Sequence, residues 1–129
     1  MSFFENIYEG MLKNDYANSY KTYSEPNGNV YKGMFKNDDF YGKGTWIETE
    51  EGATDGWPGT YKSNNWKNGE IEGYGEYVGS GSKLGYSYKG NYVKGIENGY
   101  GNWTDPDGTW WEGTFEDGDW VSGTTNESN

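Results

Sequence analysis

The chain has 129 residues, enough for one domain or one short stack of repeats. It contains neither cysteine nor histidine, which excludes disulfides, thiolate metal sites and histidine-based catalysis. Its formal net charge of -11 disfavours nucleic acids and anionic membranes as partners, because both attract Lys and Arg.

The apolar residues are mostly aromatic. There are 13 Tyr, 7 Trp and 5 Phe beside 22 Gly. Disordered segments are depleted in aromatic residues, so this composition favours a folded chain despite its acidity. Flat rings with abundant glycine predict a thin sheet whose rings lie over neighbouring backbone, because glycine leaves a gap that a ring can cover.

The N-terminal segment MSFFENIYEG has no basic stretch followed by a long apolar run, so it does not resemble a secretory signal. No stretch approaches the ~20 apolar residues that a membrane-spanning helix needs. We therefore expect a cytoplasmic protein without membrane insertion.

One pattern recurs along the chain: an aromatic residue, a charged residue, and then glycine or, in one copy, serine. The spacing between the first two copies is 23 residues, and so is the spacing between the last two. A fixed period in this range is typical of repeat architectures. The predicted repeats begin near Tyr8, Tyr31, Tyr61, Tyr88 and Trp111. They predict a single domain over residues 1–124, followed by a polar tail at 125–129.

Each repeat has the features of a β-hairpin. Alternation places Tyr31 and Phe35 on one face of a strand. Residues 68–69 are Asn-Gly and residues 117–118 are Asp-Gly, both strong signals for a two-residue hairpin turn. After the turn comes Gly-x-Gly and then an aromatic residue on the same face. Pro-x-Gly segments at 24–31 and 104–111 predict turns between hairpins.

Two places depart from the period. One extra residue before Trp66 predicts a β-bulge in the third repeat. The segment 47–60 is about seven residues too long, so it predicts a protruding acidic loop, and long loops often carry function. Its acidic residues are Glu48, Glu50, Glu51 and Asp55.

The combination of aromatic-x-Gly, an Asn-Gly turn and Gly-x-Gly resembles the MORN repeat, over about residues 8–124. The best matches are residues 88–108 and 31–46, and the first and last copies are degenerate. The resemblance implies an all-β fold in which tandem hairpins form one elongated, twisted, single-layer antiparallel sheet, curled into a groove. It also implies a binding or scaffolding role.

We expect the aromatic face to bind another protein, as a helix or an extended segment, with a basic segment among the candidates. Aromatic-rich open surfaces are where binding hot spots concentrate. The candidate contact residues are Tyr31, Phe35, Trp46, Trp66, Tyr77, Tyr88, Tyr92, Trp103, Trp111 and Phe115.

Two alternative functions and the oligomeric state stay open at the level of sequence. The first alternative is a carbohydrate-binding repeat module, because sugars stack on Trp and Tyr. The second is an acidic nucleic-acid mimic, a class that includes phage-encoded inhibitors. Open sheet ends allow a monomer or a weak homodimer. We expect no catalytic residues, because a single-layer sheet offers no deep pocket in which carboxylate pKa values could be split. We also expect no cofactor, and no metal site, because the Asp-Pro-Asp-Gly segment at 105–108 lacks the other positions of a calcium-binding loop.

Overall fold

The computed structural model describes residues 20–128. In that part of the chain all regular structure is β, apart from one 3-10 turn at Gly81–Lys83. No helix in this range is long and apolar enough to cross a membrane. The ten strands are β1 Tyr20–Ser24, β2 Val30–Lys36, β3 Asp39–Glu48, β4 Gly59–Lys67, β5 Glu70–Ile71, β6 Gly73–Gly79, β7 Ser87–Val93, β8 Ile96–Thr104, β9 Trp110–Glu116 and β10 Asp119–Thr125.

The strands form one antiparallel sheet in chain order. Each strand pairs with its predecessor, except that β4 pairs with β6 along most of its length and with the short β5 at its end. The sheet is not closed into a barrel. The prediction of an all-β fold made of hairpins in a single antiparallel sheet is confirmed.

The hairpin turns explain this regular order. Asn68 and Gly69 both have positive φ, at 51° and 83°, and so do Asp117 and Gly118, at 49° and 91°. This is the geometry that matches the twist of two-residue hairpins, and the turns after β2 and β7 share it. The two predicted hairpin turns are therefore confirmed.

The strand register aligns two kinds of residue into rows across the sheet. One row is aromatic and runs through Tyr23, Tyr31, Trp46, Tyr61, Tyr77, Tyr88, Trp103 and Trp111. The adjacent row on the same side is small, and runs through Gly33, Gly44, Ser63, Gly75, Gly90, Gly101, Gly113 and Gly123. We call this side of the sheet the ring face and the opposite side the outer face.

The two rows fit together. The Tyr88 ring lies over Gly101, where an added Cβ would overlap its hydroxyl, and that hydroxyl donates to the Asn91 carbonyl at 2.8 Å. Tyr31 lies over Gly44 in the same way and donates to the Met34 carbonyl at 2.9 Å. The predicted fit of ring over bare backbone is confirmed.

The core is a single layer of side chains on the ring face. Half-buried rings surround the buried ones, and Phe40 stacks on Tyr31 with a centroid distance of 3.7 Å. Within residues 20–128 no second layer of secondary structure covers them, so these side chains bury one another and the glycine backbone. The buried members are Tyr31, Phe35, Trp66, Ile71, Tyr77, Tyr88, Tyr92 and Phe115.

The predicted bulge and the C-terminal end of the sheet both lie within the described residues. Between β3 and β4 the register shifts from Gly44 opposite Ser63 to Gly42 opposite Trp66, which confirms the bulge before Trp66. The start of the first predicted repeat, near residue 8, lies outside the described residues. At the C-terminal end Asn126 is held in place, because its side chain accepts from the Trp110 amide at 2.7 Å.

Candidate functional site

The long loop that the sequence places at 47–60 spans residues 49–58 between β3 and β4, and it turns back over the ring face. Pro58 is fully buried, and Trp57 is half-buried against rings from other strands. Its ring centroid lies 6.2 Å from that of Tyr77, 5.4 Å from that of Tyr86 and 5.6 Å from that of Trp103. The expectation of a simply protruding loop is therefore wrong for its C-terminal end, because the apolar Trp-Pro pair is buried against the sheet.

Two tyrosine hydroxyls hold this end of the loop. Tyr61 donates to the Trp57 carbonyl at 2.9 Å, and Tyr77 donates to the Pro58 carbonyl at 2.6 Å. Both tyrosines belong to the aromatic row, and their rings contact each other with a centroid distance of 4.7 Å. The sheet itself therefore fixes the position of the Trp57 backbone.

A second set of contacts joins loop 47–60 to the β6–β7 connection. The Glu50 carboxylate accepts from the Ser82 amide at 2.6 Å and from the Ser82 hydroxyl at 2.7 Å. The Lys83 ammonium lies 4.1 Å from the centroid of the Trp57 ring, within the range of a cation–π contact. These contacts hold the Trp57 side chain in one position.

A groove of about 460 Å³ lies between Trp57 and the hairpin turns at Gly69, Gly95 and Gly118. Aromatic rings and Ile71 line it, together with three carboxylates. A second groove of about 350 Å³ shares Trp57, Trp103 and Gly118 with the first. The ring face therefore offers two adjoining concave sites separated by indole rings.

The predicted contact residues divide by burial. Seven of the ten are buried, and Trp46, Trp103 and Trp111 are half-buried. A partner on this face would contact these three tryptophans more than the seven buried side chains. By position, Trp46, Trp66, Tyr77, Tyr92 and Trp103 line the first groove, Trp103, Trp111 and Phe115 line the second, and Tyr31, Phe35 and Tyr88 line neither.

Apart from glycines, sequence reasoning did not select five residues that line the first groove: Trp57, Tyr61, Ile71, Ile96 and Glu97. Two of them carried a usable signal. Glu97 is two residues before Gly99 in the same strand, so alternation alone places it on the ring face. Trp57 lies before a proline near the end of a loop that is too long for the period. Tryptophan is highly buried on average, so its presence there indicates that this end of the loop packs against the sheet.

The three groove carboxylates come from separate segments: Glu48 from β3, Asp55 from the long loop and Glu97 from β8. Burial raises the pKa of Glu97, and burial together with the charge of Asp55 raises that of Glu48. Burial and then the charges of Asp55, Glu48 and Glu97 raise the pKa of Tyr77 to about 12. The three carboxylates therefore create a negative potential around one point of the groove.

Tyr92 adds a polar group that is not satisfied within the described chain. Its side chain is 2% exposed and lines the groove, yet its hydroxyl has no hydrogen-bond partner among residues 20–128. Burial and the charge of Glu97 raise its pKa, so it stays a neutral hydroxyl. Leaving such a group unpaired costs roughly 1–3 kcal/mol, so a ligand that pairs with it gains affinity.

The raised pKa of Glu97 predicts a specific pH dependence of stability. Ionised Glu97 opposes folding above its folded-state pKa, and this effect disappears as pH falls below the unfolded-state value. We therefore expect Glu97→Gln to raise the free energy of unfolding near pH 7 and to leave it nearly unchanged near pH 4. Urea titrations at several pH values measure the difference.

A control is needed because removing any negative charge from a chain of net charge -11 relieves repulsion. Glu51→Gln makes the same charge change at an exposed position outside both grooves. The gain in Glu97→Gln should exceed the gain in Glu51→Gln. Equal pH profiles for the two variants would show that burial of Glu97 contributes nothing.

The groove carboxylates are not arranged as a metal site. Residues 20–128 contain no group of three or more acidic side chains placed to hold a metal ion.

The chain matches no protein-family model, and no curated protein matches its sequence.

Proposed function

We propose that this chain is a MORN-type repeat module without catalytic activity that holds a segment of a partner protein on its ring face, as a scaffold or as an inhibitor or regulator of that partner. The observation that carries the proposal is the pair of adjoining grooves, of about 460 and 350 Å³, separated by half-buried indole rings. Tryptophan and tyrosine at the centre of a concave surface are the residues that most often supply binding energy.

The site is fixed before any partner arrives. Trp57 is held by the Tyr61 hydroxyl through its backbone and by Trp103 and Lys83 through its ring. Rigid aromatic anchors lose little conformational entropy on binding. Two adjoining grooves suit an extended peptide or a helix that inserts successive side chains.

The ring-over-glycine contact supports the repeat assignment. Tyr31 with Gly44 and Tyr88 with Gly101 have the same register and the same hydroxyl-to-carbonyl hydrogen bond. Equivalent geometry in two hairpins is what tandem repeats of one sequence pattern are expected to give.

The outer face does not favour a nucleic-acid mimic. Such a mimic needs a regular row of carboxylates, whereas the central outer row mixes lysines with glutamates and neutral residues. This row runs through Lys32, Thr45, Lys62, Glu76, Lys89, Asn102 and Glu112.

A crosslinking experiment tests the proposed function. Short random peptides displayed on phage are selected on the full chain, and the selected peptides are synthesised. A photoreactive phenylalanine is then introduced either at Ile96 or at Tyr100. Both positions are in β8 and exposed, at 48% and 65%, but Ile96 lines the first groove whereas Tyr100 lies on the outer face.

We expect selected peptides to bind with micromolar affinity and to crosslink from position 96 but not from position 100. Crosslinking mainly from position 100 would place the binding surface on the outer face and overturn the proposal. If no peptide is selected, and oligosaccharides quench tryptophan fluorescence saturably, the carbohydrate-binding alternative is correct.

A further inference from the structure

The first groove combines three features that match one kind of ligand group. It contains three carboxylates, a wall of aromatic rings and a buried hydroxyl that has no partner among residues 20–128, and no lysine or arginine of these residues lines it. We propose that this groove receives a Lys or Arg side chain from a basic segment of the partner polypeptide. This inference rests on the proposed function and specifies the chemistry of its ligand.

The charges at the groove are complementary to a cation. Glu48 and Glu97 are half-buried at the groove, and no lysine among residues 20–128 lines it, whereas Asp55 is exposed and accepts from the Trp57 amide at 3.0 Å. Partial burial makes an uncompensated carboxylate costly, because water solvates it less well there. A cation entering the groove would offset that cost at Glu48 and Glu97 and would also be attracted by the nearby charge of Asp55.

The rings supply the second argument. The face of an indole or phenol ring attracts a cation through its quadrupole, most strongly where water is excluded. Trp57 already makes such a contact with Lys83 at 4.1 Å. Lys83 does not line the groove, whereas the half-buried Trp57 and Trp103 do, so a second cation in the groove would meet a different part of this aromatic wall.

Tyr92 adds a hydrogen-bonding group beside the Glu97 carboxylate. Its side chain lines the groove, its buried hydroxyl has no partner among residues 20–128, and the residue opposite it across the β7–β8 register is Glu97. Because the hydroxyl is buried, a small shift of the lining side chains is needed before an ammonium or guanidinium N–H can donate to its oxygen while another N–H donates to the Glu97 carboxylate. A guanidinium is the better fit, because it has five donors in a fixed plane.

The other occupants fit less well. Residues 1–19 carry Lys13 against Glu5, Glu9 and Asp15, so this segment has the wrong sign of charge to fill the groove. A neutral sugar could stack on the rings but would leave the carboxylates uncompensated. A basic polypeptide satisfies the rings, the charges and the hydroxyl together.

The first part of the test uses defined small probes on the full chain. N-acetyl-arginine methylamide is titrated into nitrogen-15-labelled protein, and the uncharged isostere N-acetyl-citrulline methylamide is the matched control. We expect the indole N–H signals of Trp57 and Trp103 to shift saturably with the arginine probe only. Equal shifts with citrulline would overturn the proposal. Stronger binding of choline than of the arginine probe would overturn it in favour of a quaternary ammonium small molecule.

The second part uses variants and the selected peptides. We expect Glu97→Gln to weaken binding of the arginine probe about tenfold, and Glu51→Gln to leave it unchanged. Glu97→Gln is expected to be at least as stable as the parent chain, so weaker binding would not reflect unfolding. An unchanged affinity in Glu97→Gln would overturn the proposal.

The two proposals can fail separately. Peptides that crosslink from position 96 but keep their affinity when each Arg and Lys is replaced by an uncharged analogue would support the proposed function and overturn this inference. Binding of the arginine probe without any selected peptide would overturn the proposed function, and with it the polypeptide source, while supporting the cation preference of the groove.

Discussion

Replacing Tyr88 with alanine is expected to lower the free energy of unfolding by about 4 kcal/mol. Tyr88 is completely buried, and its ring contacts those of Tyr92 and Phe115 edge-on, each with a centroid distance of 5.2 Å. It also covers the backbone at Gly101. In the part of the chain that the structure describes, the core is one layer of side chains, so no second layer there can move in to fill the resulting cavity.

Urea unfolding followed by tryptophan fluorescence and by circular dichroism measures this loss. Two variants separate its components. Tyr88→Phe removes only the hydrogen bond to the Asn91 carbonyl and should cost about 1 kcal/mol. Tyr100→Ala removes a tyrosine from the outer face of β8, where it is 65% exposed, and should also cost about 1 kcal/mol or less. If Tyr88→Ala cost no more than Tyr100→Ala, the ring face would not be the core.

The fold could be predicted because its determinants are local. Asn68-Gly69 and Asp117-Gly118 fix tight turns through dihedral angles that these residues adopt easily. Gly-x-Gly followed by an aromatic residue places the small and large residues in separate rows once the hairpins pair. Repetition of this pattern leaves each hairpin one neighbour on each side, so chain order and sheet order are the same.

The groove could be predicted only in part, because it depends on a loop that breaks the repeat. The position of Trp57 is set by the Tyr61 hydroxyl and by contacts with rings in β6 and β8, and no local pattern encodes these contacts. Alternation also gives the face of a side chain but not its exposure. Tyr88 and Trp103 are directly paired on one face, yet Tyr88 is buried and Trp103 is half-buried.

Burial also changes which variants can test binding. Substitution of Tyr88 or Phe35 would damage the core, and loss of binding would then carry no information about the surface. Residues that are exposed or half-exposed at the groove, such as Ile96 and Glu97, allow binding to change while the fold is kept. Binding is therefore best tested at exposed and half-exposed residues on the edge of the first groove, rather than along the whole aromatic row.

Gly101→Ala is expected to lower the free energy of unfolding by about 3 kcal/mol, through overpacking rather than backbone strain. The backbone of Gly101 is outside the left-handed region, so alanine can adopt its dihedral angles. The added Cβ, however, would overlap the Tyr88 hydroxyl and lie 2.6 Å from two carbons of its ring. Tyr92 and Phe115 pack against that ring, so it cannot easily move away.

Two comparisons isolate this steric effect. Gly56→Ala introduces a methyl group where φ is +82° and no atom lies within 4 Å, so it should cost only the backbone term of about 1 kcal/mol. In the double variant Tyr88→Ala/Gly101→Ala the obstructing ring is gone, so the second substitution should add almost nothing to the first. Urea titrations, with an osmolyte added for the least stable variants, give the coupling energy. Additive losses would show that the methyl group displaces the β8 backbone instead of meeting the Tyr88 ring, and that ring and glycine are not the complementary pair on which this sheet depends.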